Sequence, residues 1–553
     1  MENTMPTTRL RLSPLDLPVA LFLISAALAV VPAYDRSTAW APLAWLLAGG
    51  VVYLLVSRLG RGAGADMRIA IGVSMLGALL ALYFITQYPH YPGLDKVAVI
   101  SSILDLIGRV TPNLAFWAPV ANSVATALEG LLFLAVGAGF AAQRRGLRWL
   151  LWVCAAFMAA ALLLSSSRGA WLAAGLAGLL WAALYFRPAR WLGLAVLAGA
   201  VILLALVVFS QDVQILDRIP VVNRTVAPLF IRPDRLDVYR GSLQLIGDVP
   251  LTGVGLGGQF AMHYSRYVLM IQVPFLEYSH NLYLEVWLQQ GILGLAAWIW
   301  LLAAVGYAGW RMLRAGRDPL LEGALVGLAA TYLHGLTDAR QYSDWWCWLP
   351  FFLLAGLTAS AFLRARLPST WRQDLAPTAV MGLALLAISV TLPSLPAVWR
   401  ANLGCLQQGQ ADLSTTLRNE ERAALREKAM SNFQRAVALS PGERTPNLRL
   451  GSMLIEDGQF AEALPYLASA AASAPQNATV AKALGLGYVW NGEIDRAAEM
   501  LAPLPGMVNE LNTWGWWRAS EGQAALARYA YQTSLRIKPD QPEVQELLDT
   551  LPK

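Results

Sequence analysis

Arginine and histidine side chains in three short stretches are the residues of this 553-residue chain best suited to bind anions or to move protons. The first stretch, 165–171, reads SSSRGAW, and Arg168 is its only charge. The second reads RPDRLDVYR and spaces Arg232, Arg235 and Arg240 so that two or three of them can converge on one side of a short helix. Guanidinium groups bind phosphate through paired N–H donors, whereas carboxylates repel it. The pattern predicts a phosphate site; a snorkelling interfacial arginine and a solvated basic surface are the plain alternatives.

The third stretch, 277–294, reads EYSHNLYLEVWLQQGILG and places His280 at the start of an apolar helix. The positive end of the helix dipole and the nearby arginines favour a neutral imidazole, which is the form that a general base requires. His334, in TYLHGLTDAR, is the rival base, and the sequence leaves both open. Glu277 and Asp338 are candidate helpers of His280 or sugar ligands, and Tyr278 and Asn281 are secondary candidates beside it.

The sequence predicts neither a cofactor nor a metal ion. Gly253, Gly255 and Gly258 satisfy the spacing G-x-G-x-x-G, but no strand precedes them and no βαβ unit surrounds them. A tight backbone turn is the better interpretation. The acidic residues of this segment lack metal-ligand spacing, and three scattered cysteines do not make a thiolate site or a disulfide framework.

The composition indicates a membrane protein, because 56% of the residues are hydrophobic and only 14% are charged, against roughly 25% in soluble proteins. This excludes a disordered chain, a disulfide-stapled module and a coiled-coil rod. Eleven apolar stretches are long enough to cross a bilayer. They are residues 17–33, 40–57, 69–87, 119–141, 149–165, 170–186, 191–209, 283–308, 319–336, 345–362 and 376–396.

Lysine and arginine in the connecting loops predict the orientation. With the N-terminus inside, the inner loops carry sixteen basic residues and the short outer segments carry five. The net charge of +6 therefore reflects membrane topology, and no nucleic-acid partner is expected. All four histidines, the long loop 210–282 and the C-terminal part then lie on the outer face.

The C-terminal part differs in composition and repeats every 34 residues: Pro441 recurs as Pro475, Gly451 as Gly485 and Ala463 as Ala497. This period is typical of tetratricopeptide repeats, paired helices that present a docking surface to a protein partner; a generic helical hairpin domain is the alternative. We predict an all-α fold, a polytopic helical bundle followed by an α-solenoid. Its parts are 1–209 with seven spans, the loop 210–282, 283–398 with four spans, and the repeat domain 399–553.

The order of the motifs SSSRGAW, R…D.P..GVGLG and HNLYLEVWLQQGILG resembles the O-antigen ligase/polymerase superfamily over residues 150–365. The resemblance implies a multi-pass protein of the bacterial inner membrane with a periplasmic C-terminal domain. It also implies a donor glycan carried on undecaprenyl pyrophosphate. Arg168, Arg235 and Arg240, with Arg232, would hold the pyrophosphate, and His280 would activate an acceptor hydroxyl for an inverting, metal-independent transfer.

Three acceptors remain open within that resemblance: lipid A–core, another lipid-linked glycan as in a polymerase, or a protein hydroxyl as in an O-oligosaccharyltransferase. A transporter of lipid-linked glycan is the main alternative from another class, although it calls for charged residues inside several spans and for internal repeats. A non-catalytic anchor for the repeat domain is the third hypothesis, but it would not need eleven spans.

Overall fold

The structure, a computed structural model, describes residues 12–60, 64–91, 98–186, 233–265, 276–365 and 394–552, with a few isolated positions between these ranges. The secondary structure of these residues is helical and contains no β-strand, which confirms the predicted all-α class. The chain divides into two compact units. The first comprises Met1–Ile246 and Thr252–Ile388, and the second comprises Gly247–Leu251 and Ser389–Lys553.

Twelve α-helices of the first unit lie in the described ranges. They are α1 (Asp16–Leu28), α2 (Trp40–Leu59), α3 (Ala65–Gln87), α4 (Ala98–Val110), α5 (Ala121–Ala141), α6 (Arg145–Leu164), α7 (Arg168–Ala183), α8 (Pro233–Asp248, whose last two residues belong to the second unit), α9 (Gln259–Tyr264), α10 (Leu282–Ala315), α11 (Pro319–His334) and α12 (Trp348–Arg364). Short 3-10 helices occupy Arg36–Ala39, Tyr88–His90, Arg340–Tyr342 and Trp345–Cys347.

Six helical segments of the described chain are long and apolar enough to cross a membrane. They are Arg36–Leu59, Ala65–His90, Ala121–Ala141, Arg145–Leu164, Leu282–Ala315 and Trp345–Arg364. The shorter helices α1, α7 and α11 coincide with three more of the predicted spans. The predicted spans 191–209 and 376–396 lie largely outside the described residues, so the number eleven stays a prediction.

Helices α5 and α11 approach each other closely along a seam of glycines. A Cβ atom at Gly327 would stand 2.5 Å from the carbonyl oxygen of Gly130, and one at Gly137 would stand 3.0 Å from the Cα of Gly323. Small residues allow such backbone contact between helices in a membrane, where the hydrophobic effect does not drive helices together. The seam brings two polar residues of these helices, Glu129 and His334, within reach of each other.

Helix α10 is kinked at Gly291, where φ is 66°. The kink leaves carbonyl groups without helical partners, and a glycine-rich loop supplies one: the Val254 N–H donates to Leu288 O at 2.6 Å. Gly253 has φ of 66°, and a side chain there would overlap the same carbonyl group. Leu256 N–H likewise donates to Ala29 O at the end of α1. The glycine-rich segment is thus a loop that hydrogen-bonds to the backbones of α10 and α1.

The second unit consists of helical hairpins after an initial pair of helices. Its helices are α13 (Leu395–Leu413), α14 (Asn419–Leu439), α15 (Arg444–Glu456), α16 (Phe460–Ser473), α17 (Ala478–Trp490), α18 (Ile494–Leu501), α19 (Met507–Ser520), α20 (Ala524–Ile537) and α21 (Pro542–Thr550). The first helix of each hairpin packs a glycine on a large residue of the second. A Cβ added at Gly451 would lie 2.6 Å from the nearest atom of Leu467. One added at Gly485 would lie 2.5 Å from Leu501, and one added at Gly515 would lie 2.5 Å from Tyr531.

The spacing of these glycines explains the sequence pattern. Gly451 and Gly485 lie 34 residues apart, whereas Gly515 follows after 30, so the third hairpin is a real repeat that is out of phase by four residues. Gly458, Gly492 and Gly522 all have φ of 76° in the tight turns between paired helices, a conformation that glycine adopts without strain. The predicted helical-repeat architecture is confirmed.

Candidate active site

His280 is held at the start of α10 by the residues of its own motif. The Asn281 side chain accepts hydrogen bonds from Tyr283 N–H and Leu284 N–H and so caps the helix. Its amide also donates to Leu336 O at 3.1 Å, in the segment that follows α11. His280 itself has φ of 54°, a left-handed conformation that is uncommon outside glycine and that clusters at functional sites.

Glu285 fixes the same turn from inside the helix. It is fully buried, and its carboxylate accepts from Ser279 N–H at 2.7 Å and from the Gln289 amide at 2.6 Å. Ser279 Oγ donates to Asn281 O at 3.0 Å. These bonds give an acidic residue within a membrane span a structural role, because a buried carboxylate needs such donors.

The imidazole of His280 lies between a carboxylate and an aromatic ring. Its Nδ1 is 3.7 Å from Oδ1 of Asp338, and its ring centroid is 4.6 Å from that of Tyr278. The hydroxyl of Tyr239, on α8, donates to His280 O at 3.1 Å. Burial, together with the charge of Asp338, raises the pKa of Tyr278 well above its ordinary value, so this phenol is neutral. Helix α8, the start of α10 and the end of α11 therefore meet at His280.

Asp338 is the charged centre of this group, and only 5% of it is exposed. Its carboxylate accepts from Ala339 N–H at 2.8 Å and from the Asn122 amide on α5 at 3.3 Å. Burial alone would raise its pKa, but the imidazoles of His280 and His334 and the charge of Arg340 outweigh burial and hold that pKa well below its ordinary value. An ionised carboxylate beside Nδ1 can orient the imidazole and stabilise its protonated form.

The second histidine, His334, has a carboxylate of its own. Its Nδ1 is 3.0 Å from Glu129 Oε2, and both side chains are almost completely buried. Its backbone oxygen accepts from Thr337 N–H at 2.8 Å and Asp338 N–H at 3.0 Å. The ring also packs on α7, since a Cβ at Gly169 would lie 3.1 Å from His334 Cδ2. His334 is thus part of the wall that carries Asp338, whereas 27% of the His280 side chain is exposed.

The side chains of two arginines border this cluster, and the backbone of a third begins a helix next to it. Arg235 donates to Thr337 O at 2.6 Å, Arg168 begins α7 directly before Gly169, and Arg340 lies with its guanidinium carbon 5.3 Å from the Tyr278 ring centroid. The turn before Arg168 is rigid: Ser165 Oγ donates to Leu162 O at 2.7 Å and accepts from Ser167 N–H at 3.2 Å.

The structure does not bring Arg240 to the other predicted arginines. Five residues along a helix turn a side chain by about 140°, so Arg235 shares a face with Tyr239 instead. Arg240 is half exposed and pairs with Asp237 at 3.2 Å. Arg232 lies outside the described residues, and Glu277 is exposed.

Sequence analysis did not assign Glu129, Tyr239 or Arg340 to the site. The sequence could have indicated Glu129 as a candidate, because it is one of three acidic residues inside the predicted spans. The other two have structural partners: Glu285 in the turn described above, and Glu322 with Arg317 at 3.0 Å and the Trp181 indole at 2.9 Å. Glu129 faces a histidine.

Comparison with known proteins gives two family matches. Residues 153–299 match the family described as O-Antigen ligase, and residues 454–509 match Tetratricopeptide repeat. The segment 153–299 is thus similar to the O-antigen ligase family. The resemblance inferred from the motifs is confirmed, and so is the association of that segment with helical repeats. A search of curated proteins finds no match.

The segment similar to the O-antigen ligase family contains Arg168, Arg235 and His280, while His334 and Asp338 lie beyond its matched end. Members of this family process glycans at membranes, and several helices of this chain are apolar enough to span one. The chain is therefore a multi-pass membrane protein in which one segment is similar to a glycan-processing family. The geometry places His280 of that segment beside a carboxylate, Asp338, that comes from outside it.

Proposed function

We propose that this protein is a glycosyltransferase that moves a glycan from undecaprenyl pyrophosphate to a hydroxyl of lipid A–core, on the periplasmic face of the inner membrane. The observation that carries the proposal is that His280 lies beside Asp338, with Arg235 and Arg340 bordering the pair and Arg168 at the start of a helix that contacts His334. A basic rim beside an imidazole–carboxylate pair suits a reaction with a diphosphate leaving group and a hydroxyl nucleophile.

His280 acts as the general base. Its Nδ1 faces Asp338, which leaves Nε2 to take the proton of the acceptor hydroxyl. The separation of 3.7 Å is longer than a hydrogen bond, and catalytic contacts of this kind commonly shorten when substrate binds. The acceptor oxygen then bonds to the anomeric carbon from the side opposite the pyrophosphate, which inverts the configuration.

Arginines stabilise the leaving group. As the bond between the anomeric carbon and the phosphate oxygen breaks, negative charge grows on undecaprenyl pyrophosphate. Arg168 and Arg235 belong to two helices that contact His334 and Thr337, and the Arg340 guanidinium lies over the Tyr278 ring. Three cations can neutralise a diphosphate without a divalent ion, so we propose a metal-independent reaction. His334 supports the wall of the site, and His280 carries the proton transfer.

The test is transfer in vitro by the purified protein, with a defined undecaprenyl-linked donor and three acceptors offered separately, each with and without EDTA. The proposal expects glycosylated lipid A–core in both conditions. A ladder of longer lipid-linked chains would select a polymerase, and glycosylated protein would select an O-oligosaccharyltransferase. Transfer to none of the three would reject the enzymatic proposal.

Replacing His280 with alanine tests the base. His280→Ala should lower the rate of transfer by at least about 100-fold, because general bases contribute that much or more. His90→Ala is the matched control, since His90 hydrogen-bonds Thr111 at 3.1 Å, on a different loop, and should retain activity. A second pair of variants tests the arginines: Arg235→Ala, beside the site, should lower the rate of transfer, and Arg240→Ala, its matched control, should retain activity. Undiminished transfer by His280→Ala would assign the base elsewhere.

A further inference from the structure

Aromatic side chains form a continuous row across the second unit. The ring centroids of Phe460 and Trp490 are 6.3 Å apart, those of Trp490 and Trp514 6.0 Å, and those of Trp514 and Trp517 5.6 Å. The four residues come from α16, α17 and α19, so successive repeats contribute to one row. Its inner members pack on the core of the unit, which fixes the outer ones.

The row ends at the surface in indoles that are unusually exposed. The rings of Trp514 and Trp517 are stacked with an angle of 8° between their planes. Trp517 is 50% exposed, and its neighbour Trp516 is 63% exposed. Two exposed tryptophans on one helix leave a large apolar area in water, and exposed apolar areas of this kind mark interaction sites.

Polar groups hold these rings and add hydrogen-bonding capacity at their edge. The Trp517 indole N–H donates to Glu521 at 2.9 Å. Arg518 lies over two rings, 5.1 Å from the Trp490 centroid and 5.8 Å from the Trp514 centroid, and it donates to Gln523 at 2.6 Å. Arg518 Nη1 also lies 3.8 Å from Glu521 Oε2, and these two side chains are 21% and 43% exposed. These contacts hold the rings in place and put one partly exposed cation and one exposed carboxylate at their edge.

We propose that Trp514 and Trp517, with Arg518 and Glu521, form a tryptophan platform that binds a glycan. Trp516 is exposed beside it but does not share the face of Trp514, because residues two apart on a helix point in different directions. The C–H groups on one face of a pyranose carry partial positive charge and are attracted to the negative face of an indole, while burial of that apolar face adds hydrophobic stabilisation. The sugar hydroxyls need donors and acceptors at the ring edge, which Arg518 and Glu521 provide. The choice of ligand class rests on the proposed function, in which the substrate is a polymeric glycan.

Charge argues against a membrane surface as the occupant. A helix that binds anionic lipid carries lysine and arginine beside its apolar face. Helix α19 carries Glu510 and Arg518, with Glu521 directly after its end, so it has no excess of positive charge. Rigid parallel rings bordered by one cation and one carboxylate suit a flat neutral ligand better.

The experiment measures binding of the full-length protein in nanodiscs to a printed array of oligosaccharides released from bacterial surface polysaccharides. All variants carry His280→Ala, so that transfer does not consume the ligand. The double variant Trp516→Ala/Trp517→Ala should bind the recognised oligosaccharide about tenfold more weakly, equivalent to roughly 1.4 kcal/mol. Trp517→Phe should retain most of the binding because the stacked ring remains. Leu547→Ala, which also removes an exposed apolar side chain of this unit, is the matched control and should bind normally.

Two results would overturn the platform: no oligosaccharide bound by the parent protein, or equal binding by the double variant. Quenching of indole fluorescence by brominated lipids that is lost in the double variant would assign these tryptophans to the membrane instead. Circular dichroism checks that the helices persist, and Trp514 is left intact because it packs in the core. Binding to the array does not require glycan transfer. A wild-type protein that fails to transfer glycan would therefore contradict the proposed function without contradicting the tryptophan platform.

Discussion

Each ionisable side chain at the centre of the site is held by a partner that sequence spacing does not reveal. Asp338 lies 58 residues beyond His280 in sequence but 3.7 Å from its ring, and Glu129 reaches His334 from another helix. A buried carboxylate persists only where donors or cations compensate its desolvation. Asp338 has an amide, a backbone N–H and two histidines around it. We regard it as the residue on which the arrangement of the site depends.

Replacing Asp338 with asparagine tests this dependence through pH. The pKa of Asp338 is lowered in the folded protein, so its ionised form stabilises the fold above the ordinary value of 3.8, and that contribution disappears as pH falls below it. The melting temperature of Asp338→Asn should therefore lie below that of the wild type at pH 7, and the difference should shrink as the pH approaches 3.

The matched control is Asp237→Asn, because the Asp237 side chain is 72% exposed. Its melting temperature should follow the wild type at every pH. Asp338→Asn should also lower transfer by at least about tenfold, since an imidazole without its carboxylate loses orientation. A difference in melting temperature that is constant with pH would contradict the role given to the charge of Asp338.

At the scale of elements, close helix contacts set where the catalytic groups stand. Helix α7 begins against the end of α11 because residue 169 is a glycine: a Cβ there would lie 2.5 Å from Thr337 Oγ1 and 3.1 Å from the His334 ring. The rigid serine turn before it fixes Arg168. The motif SSSRGAW thus works as a whole, with serines for the turn, an arginine for charge and a glycine for contact.

Gly169→Ala should move the start of α7 and lower the rate of transfer by about 100-fold, because displacements near 1 Å at a site can cost that much. Gly175→Ala is the control on the same helix, since no atom lies within 4 Å of its added Cβ. It should be neutral or stabilise the helix by up to about 1 kcal/mol. Transfer assays and detergent-exchanged melting curves measure both. Normal transfer by Gly169→Ala would refute the importance of this contact.

At the scale of the whole molecule, the asymmetry of basic residues predicts which face of the membrane carries the site. It predicts that the loop around Arg145 lies inside and that α8 lies outside with the histidines. Arg145 in that loop and Asp237 on α8 are both exposed. The three native cysteines, Cys154, Cys347 and Cys405, are buried and form no disulfide with one another, so they give little background in thiol labelling.

Cysteines introduced one at a time therefore test the topology. In intact spheroplasts, Asp237→Cys should react with a membrane-impermeant maleimide, whereas Arg145→Cys should react only after the membrane is permeabilised. The wild type measures the background from the buried thiols. Labelling of Arg145→Cys in intact spheroplasts would reverse the orientation and move the proposed chemistry to the cytoplasm.

The sequence by itself determined the class of the molecule. Long apolar stretches required membrane helices, because a bilayer leaves no other partner for their surface and backbone. A 34-residue period required stacked hairpins, and the ordered motifs around Arg168 and His280 revealed the similarity of this segment to the O-antigen ligase family. Each of these conclusions depends on local composition or spacing along the chain, which folding does not change.

Only the tertiary structure decided which polar residues meet. Glycines allow α5, α7 and α11 to pack closely. This packing places Asp338 beside His280 and Glu129 beside His334. The helical twist of α8 also points Arg240 and Arg235 in different directions. The packing of the helices buries His334 beside the site. Contacts between distant segments follow from packing, and packing depends on the complementary shapes of whole helices rather than on the spacing of any one motif.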